Sequence, residues 1–253
     1  MNLHDSSSVE LLLPQENQKF RLMGGLQAVL GSTYLLVVAE KPWVTLSSGI
    51  LGGGLGTKRY FINRQVPSGY CAGQPVEELA AYLAASFKEY DPSRRPDWTA
   101  LMTAAQVKDA CFIRLAGADC RAAVIATAGV DNACAAGVTP YLNLDPAAVG
   151  PPGTINIMAF SSRALTHGAI VNAVQTVTEA KAQVLREFSV RCPRTGAYAS
   201  GTNTDAVIIA APDAPACLPY AGPGTRIGYL LALGVRRAVA EALKRYLSNG
   251  DKF

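Results

Sequence analysis

The stretch Leu26-Gln27-Ala28-Val29-Leu30-Gly31-Ser32-Thr33-Tyr34-Leu35-Leu36-Val37-Val38-Ala39-Glu40-Lys41-Pro42-Trp43-Val44-Thr45-Leu46-Ser47-Ser48 sets the character of the fold. It contains the apolar runs Leu26–Leu30, Thr33–Glu40 and Trp43–Ser48, punctuated by Gly31 and Pro42. Short apolar runs broken by glycine and proline read as β-strands. Their close spacing implies hairpins and an antiparallel sheet.

Working outward, Val9–Leu13 and Lys19–Leu22 read as two more strands, set off by Pro14 and Gly24-Gly25. Tyr60–Val66 is another strand, and Ala110–Leu115 with Arg121–Thr127 form a strand pair turning at Gly117-Ala118-Asp119. Trp98–Thr103 leads into one helical turn at Ala104–Asp109. Ile155–Phe160 and Ala206–Ala211 complete the strands. Helices are predicted at Pro75–Glu89, closed by Asp91-Pro92, at Thr166–Glu187 and at Thr225–Leu247. Simple βαβ alternation does not fit the first third of the chain. The pattern predicts an α+β class, a single layered αβ domain over residues 1–253. Its sheet is mixed and largely antiparallel, packed by about three main helices, with residues 1–8 a flexible tail.

A chain of 253 residues, 49% of them hydrophobic, can bury one large core. The net charge of +4 comes from 23 basic and 19 acidic residues without a basic block, which argues against nucleic acid as a partner. The polar start and the shortness of the run Tyr34–Ala39 argue against a signal peptide or membrane span, so a soluble cytoplasmic protein is expected. Six cysteines form no CxxC pair, and His4 and His167 are the only histidines. A Cys/His zinc site is therefore not expected, and the thiols read as reduced and structural. His167, at the helix start, reads as exposed or capping as readily as catalytic.

The helix Thr166–Glu187 concentrates polar chemistry. Asn172, Thr176, Glu179 and Gln183 fall on one face, at steps of four, three and four residues. The opposite arc carries Ile170, Ala173, Val174, Val177, Ala180, Val184 and Leu185, with Lys181 set among them. The stripe is either the helix's wet side or a site built round one acid, and Lys181 either snorkels to solvent or serves that site. Polar runs flank the helix: Gly153-Thr154-Ile155-Asn156-Ile157 before it and Gly201-Thr202-Asn203-Thr204-Asp205 after it. Asp131–Gly153 reads as a long loop, a common place for function. Gly49 to Gly56 holds five glycines in eight residues, an anion-nest composition. It lacks both the Lys-Ser/Thr ending of a P-loop and the GxGxxG spacing, which disfavours a nucleotide-phosphate site.

Several stretches resemble the adenosylcobinamide amidohydrolase (CbiZ) family: Leu46 to Gly56, Leu101 to Ala105, Gly153 to Ile157, Asn172-Ala173 with Thr178 to Gln183, and Gly201 to Ala206. The resemblance runs in order from about Gly25 onward. It implies hydrolysis of the amide that joins a corrin propionyl side chain to aminopropanol, giving adenosylcobyric acid for cobalamin salvage. It implies no protein cofactor, since cobalt arrives with the corrinoid substrate, and no nucleophile motif transfers by position. A corrinoid carrier or sensor without catalysis is the alternative.

Amide hydrolysis needs an attacking oxygen, a base, oxyanion donors and an acid for the departing amine. There is no GxSxG elbow. The residues predict a water activated by Glu179 as base and later acid. Asp205 is the second carboxylate, orienting Lys181 or sharing the proton work, or else merely capping its turn through Thr202 and Thr204. A Thr202 or Thr204 nucleophile is the competitor. Gly52, Gly53 and Gly54 are candidate backbone donors, and Asn156, Asn172, Thr176, Thr202 and Thr204 candidate substrate-binding groups. No protein metal site is predicted. A large flat substrate predicts an open groove rimmed by the Gly-rich loop, the Asp131–Gly153 loop and the Pro212–Gly224 loop.

Overall fold

The computed structural model describes residues 7–70, 73–88, 97–141 and 153–250. Most of the expected tail, Cys71, the Asp91-Pro92 helix stop and much of the 131–153 loop lie outside the described residues. The elements follow in the order β1 (Ser8–Leu12), β2 (Lys19–Met23), β3 (Leu26–Leu30), β4 (Tyr34–Ser47), β5 (Gly54–Gln65), α1 (Pro75–Ser86) and β6 (Trp98–Thr103). Then come a 3-10 turn (Val107–Asp109), β7 (Cys111–Ala116), β8 (Arg121–Ala128), β9 (Ala133–Cys134), β10 (Ile155–Ser161), α2 (His167–Glu187), β11 (Gly201–Thr202), β12 (Ala206–Pro212) and α3 (Arg226–Gly250). The class is the expected one: α+β, with a mixed, mostly antiparallel sheet and three helices.

Ten strands make one sheet in the order β1-β7-β8-β10-β12-β4-β3-β2, with β5 pairing β4 and β6. Among the described strands, β10 with β12 and β5 with β6 run parallel and the other pairs antiparallel. The sequence reads Thr33–Glu40 and Trp43–Ser48 as separate strands, whereas the structure joins them in one strand of 14 residues. Pro42 is tolerated because the β4 register shifts between Val38 and Trp43. On β4's other flank, β3 covers Leu35–Ala39 and β12 covers Trp43–Ser47, so the proline falls between partners where its missing N–H breaks no ladder bond. Trp98–Thr103 is a strand that alternation could not reveal, being buried almost throughout.

Because β4 is shared in this way, the sheet curls over itself. One face of β7, β8, β10 and β12, with Ile113, Val124, Ile157 and Ile209, packs under α2 and α3. The other face, with Phe112, Ile125, Met158 and Phe160, packs against Leu26, Val37 and Phe61 from the curled-over strands. Phe160 meets Phe61 edge-on at a centroid distance of 5.3 Å and Trp43 at 6.3 Å, the geometry aromatic quadrupoles prefer. α1 covers the back of β5 and β6 through Leu79 and Leu83, beside Trp98, whose indole stacks on Tyr60 at 4.3 Å. No helix among the described residues is long and apolar enough to cross a membrane.

Candidate active site

The parallel pair β10 and β12 aligns Asn156 with Ala206, so the residues just before each strand lie side by side at one end of the sheet. The chain between these strands is α2, capped by the Thr166 hydroxyl, which accepts from the Ala169 amide at 3.1 Å. The helix lies across the sheet face and brings Lys181 back to the start of β12. There Lys181 donates to Asp205 Oδ2, with side-chain exposures of only 10% and 15%. The lysine does not snorkel: its ammonium is held by a carboxylate inside the fold. Thr202 donates its hydroxyl to Asp205 Oδ1, and the Ile155 amide donates to the same oxygen at 3.0 Å. The turn carrying Asp205 is tied down further by Thr204 Oγ1 donating to the Gly153 carbonyl at 3.0 Å and Thr154 Oγ1 to the Thr204 carbonyl at 2.8 Å. Gly201 leaves no room beside the pair, since a Cβ there would lie 2.5 Å from Asp205 Oδ2 and 2.8 Å from Lys181 Nζ.

Asp205 borders two cavities. The first, about 330 Å³, opens at the end of the sheet between Ser48, Ile50, Tyr70, Met102, Asn132 and Thr154. The second, about 550 Å³, lies between α2 and the β9/β11 ribbon, lined by Cys134, Glu179, Lys181 and Thr202 among others. Asp205 therefore lines both spaces.

The predicted stripe on α2 does not act as a unit. Thr176 is buried and donates to the Ala221 carbonyl at 3.0 Å, Gln183 accepts from Arg236 Nη1 at 2.9 Å, and Asn172 turns to Gln175 at 3.4 Å. These groups are engaged elsewhere and do not orient Glu179, which stands exposed on the wall of the second cavity. Asn156 lies beneath the first cavity and does not line it. Its Nδ2 donates to Asn63 Oδ1 and to the Met102 carbonyl, each at 2.8 Å, and Asn63 Nδ2 donates to Thr127 Oγ1 at 3.0 Å. Gly52 and Gly53 lie in the β4–β5 turn and Gly54 opens β5. Gly52, at φ +66°, sits against β6 so closely that a Cβ would meet the Trp98 carbonyl at 1.9 Å. The cavity wall from this loop is Ser48 and Ile50. The 212–224 loop packs on the first turns of α2, through the Thr166 amide to Leu218 and Thr176 to Ala221, and lines neither cavity. His167 is exposed in the first turn of α2.

Asn132, Tyr70 and Cys134 were not singled out from sequence, because nothing in their local pattern shows which side chains a distant β-ribbon or strand end will bring together. Burial, and then the Asp205 charge, push the Cys134 thiol up. Behind it, burial alone would raise Cys192, but hydrogen bonds from Thr139 and Thr195 and from the Arg194 and Thr195 backbone outweigh it and bring that thiol down to about 7. Among the described residues no three His, Cys, Asp or Glu side chains are grouped to hold a metal ion.

A family model described as adenosylcobinamide amidohydrolase matches residues 20–251. A Halobacterium salinarum protein named adenosylcobinamide amidohydrolase is 32% identical over 199 residues, 78% of this chain and 79% of its own. An uncharacterised Methanocaldococcus jannaschii protein is 35% identical over 92 residues, 36% of each chain. Among solved structures, a Pyrococcus horikoshii protein superposes with a TM-score of 0.45 and 11% identity, over 96% of this chain and 83% of its own. The family match, spanning nearly the whole chain and including both Lys181 and Asp205, leads to one conclusion: this chain belongs to the adenosylcobinamide amidohydrolase family.

Proposed function

We propose that the protein is a cytoplasmic enzyme that hydrolyses the amide between the corrin propionyl side chain and the aminopropanol of adenosylcobinamide. The products are adenosylcobyric acid, which re-enters coenzyme B12 assembly, and aminopropanol. Beyond family membership, the observation that carries this reading is the Asp205 carboxylate, gripped by Lys181 and Thr202 on the wall common to two cavities.

In this reading the Thr202 hydroxyl, already donating to Asp205, passes its proton to that carboxylate as its oxygen attacks the amide carbon. The Lys181 ammonium lies beside the reacting groups, where a fixed positive charge stabilises developing negative charge. The C–N bond breaks, the amine takes up the proton, and the corrin carboxyl is left as an ester on Thr202. A water then attacks the ester, giving up its proton as the ester oxygen recovers one, and frees the acid. In this reading the amine departs through the second cavity, past Glu179 on its wall.

The test is incubation of the purified protein with adenosylcobinamide, followed by mass spectrometry with and without a chelator. Conversion in both conditions is expected. A corrinoid absorbance shift without release of aminopropanol would identify a carrier instead. Glu179→Gln is expected to slow turnover without unfolding the protein, and unchanged turnover removes Glu179 from the chemistry.

A further inference from the structure

The first cavity has a chemistry distinct from that of the Lys181–Asp205 pair. Its walls are apolar at Ile50, Val66, Pro67, Leu101 and Met102, with single polar groups set among them. One of these, Asn132, has its Oδ1 buried against Gly153 with no hydrogen-bond partner among the described residues. Buried amide oxygens are satisfied in nearly all folded proteins; this one is closed off from the cavity as the side chain stands, and a turn of the amide carries it to a partner in that space. The residue before it is fixed from outside the cavity: Tyr246 on α3 donates its hydroxyl to Asp131. Burial and the Asp131 carboxylate push the Tyr246 phenol up, so it remains a donor at neutral pH.

A volume of about 330 Å³ is too small for a whole corrin and suits one edge of it. That edge alternates methyl groups with carboxamides, the pattern of these walls. Building on the amidohydrolase reading, we propose that the first cavity is the corrin-edge subsite. In it Asn132, turning its amide, pairs with a peripheral carboxamide, the propionamide chain of that edge reaches over Asp205, and the aminopropanol lies in the second cavity. Asn132 is then a specificity-determining residue, read out in KM rather than kcat.

Two variants test this. Asn132→Ala removes the amide, and Ala104→Phe fills the same cavity from its half-buried rim. Each is assayed by steady-state kinetics and by absorbance titration, using adenosylcobinamide and a cyano-ligated cobinamide that lacks the nucleoside. KM and Kd are expected to rise about tenfold in both variants for both corrinoids, the loss of one well-made polar contact, with kcat within about threefold. Unchanged KM and Kd in both variants overturns the subsite. So does a shift confined to the adenosyl form, which would give the cavity to the nucleoside. If the wild-type protein converts neither corrinoid yet binds both, with binding weakened in both variants, the hydrolase reading fails while the subsite stands.

Discussion

Two polar clusters lie at the same end of the curled sheet and have opposite characters. The Asn156–Asn63–Thr127 cluster is neutral and internal, and both Asn156 donations go to protein acceptors inside the fold. The Lys181–Asp205–Thr202 cluster is charged and only partly buried, and Asp205 opens onto a cavity on each side. A saturated neutral network tethers strands, since its bonds are all made within the protein. An ion pair at a cavity wall keeps charge where a substrate can meet it, and removing one partner strands the other. Burial of polar groups therefore does not by itself mark a site; accessible charge beside a cavity does.

The comparison can be broken at several points. Thr202→Ala should lower kcat by about 10²–10³ with little change in KM, as expected for a group acting only on the transition state, and Thr202→Ser should restore much of the loss. Steady-state rates on adenosylcobinamide decide this. Equal activity in the alanine variant would leave Thr202 as a turn cap and shift the attack to water. Next comes Gly201→Ala, whose Cβ falls within 2.8 Å of both members of the ion pair. It should cut activity by about 10²-fold through misplacement of Asp205 and destabilise the fold by about 1–3 kcal/mol. Asn156→Ala should show the reverse balance. It takes the donor from Asn63 Oδ1 and from the Met102 carbonyl and should destabilise the protein by about 1–3 kcal/mol in urea unfolding, with kcat within a few-fold. A collapse of kcat at full stability would move Asn156 into the chemistry and dissolve the contrast.

Much of the fold was legible because it is local. Gly31, Gly24-Gly25 and the β-rich runs mark hairpins, and the 3.6-residue period with Thr166 marks α2. Lys181 stood out as a charge on an apolar arc, and Asp205 as an acid at a strand start; their meeting, 24 residues apart, is a tertiary fact that periodicity cannot supply. The same limit hid the Asn63–Asn156 pairing across 93 residues and the β9–β11 ribbon that brings Cys134 to the second cavity. The α2 stripe misled for a different reason. Asn, Thr and Gln satisfy themselves on whatever packs nearby, and here Ala221 and Arg236 took Thr176 and Gln183.

The smallest effect lies behind the charged cluster. The Cys192 thiol is held at about 7, below its ordinary 9, so its thiolate favours the folded state. That contribution is full above about pH 9 and is lost as pH falls through 7. The urea midpoint of the wild-type protein should rise between pH 6.5 and pH 9 relative to Cys192→Ala, tested at about those values. Parallel profiles would show that the thiol is not linked to folding.

Asp205 is proposed as the chemical centre of this chain. Its most direct test is Asp205→Asn, assayed with adenosylcobinamide by mass spectrometry beside the wild-type protein, with circular dichroism and corrinoid absorbance recorded on both. The expected variant is folded and still binds the corrinoid but releases aminopropanol at least about 10³-fold more slowly. Release at the wild-type rate by a folded Asp205→Asn protein would contradict that role.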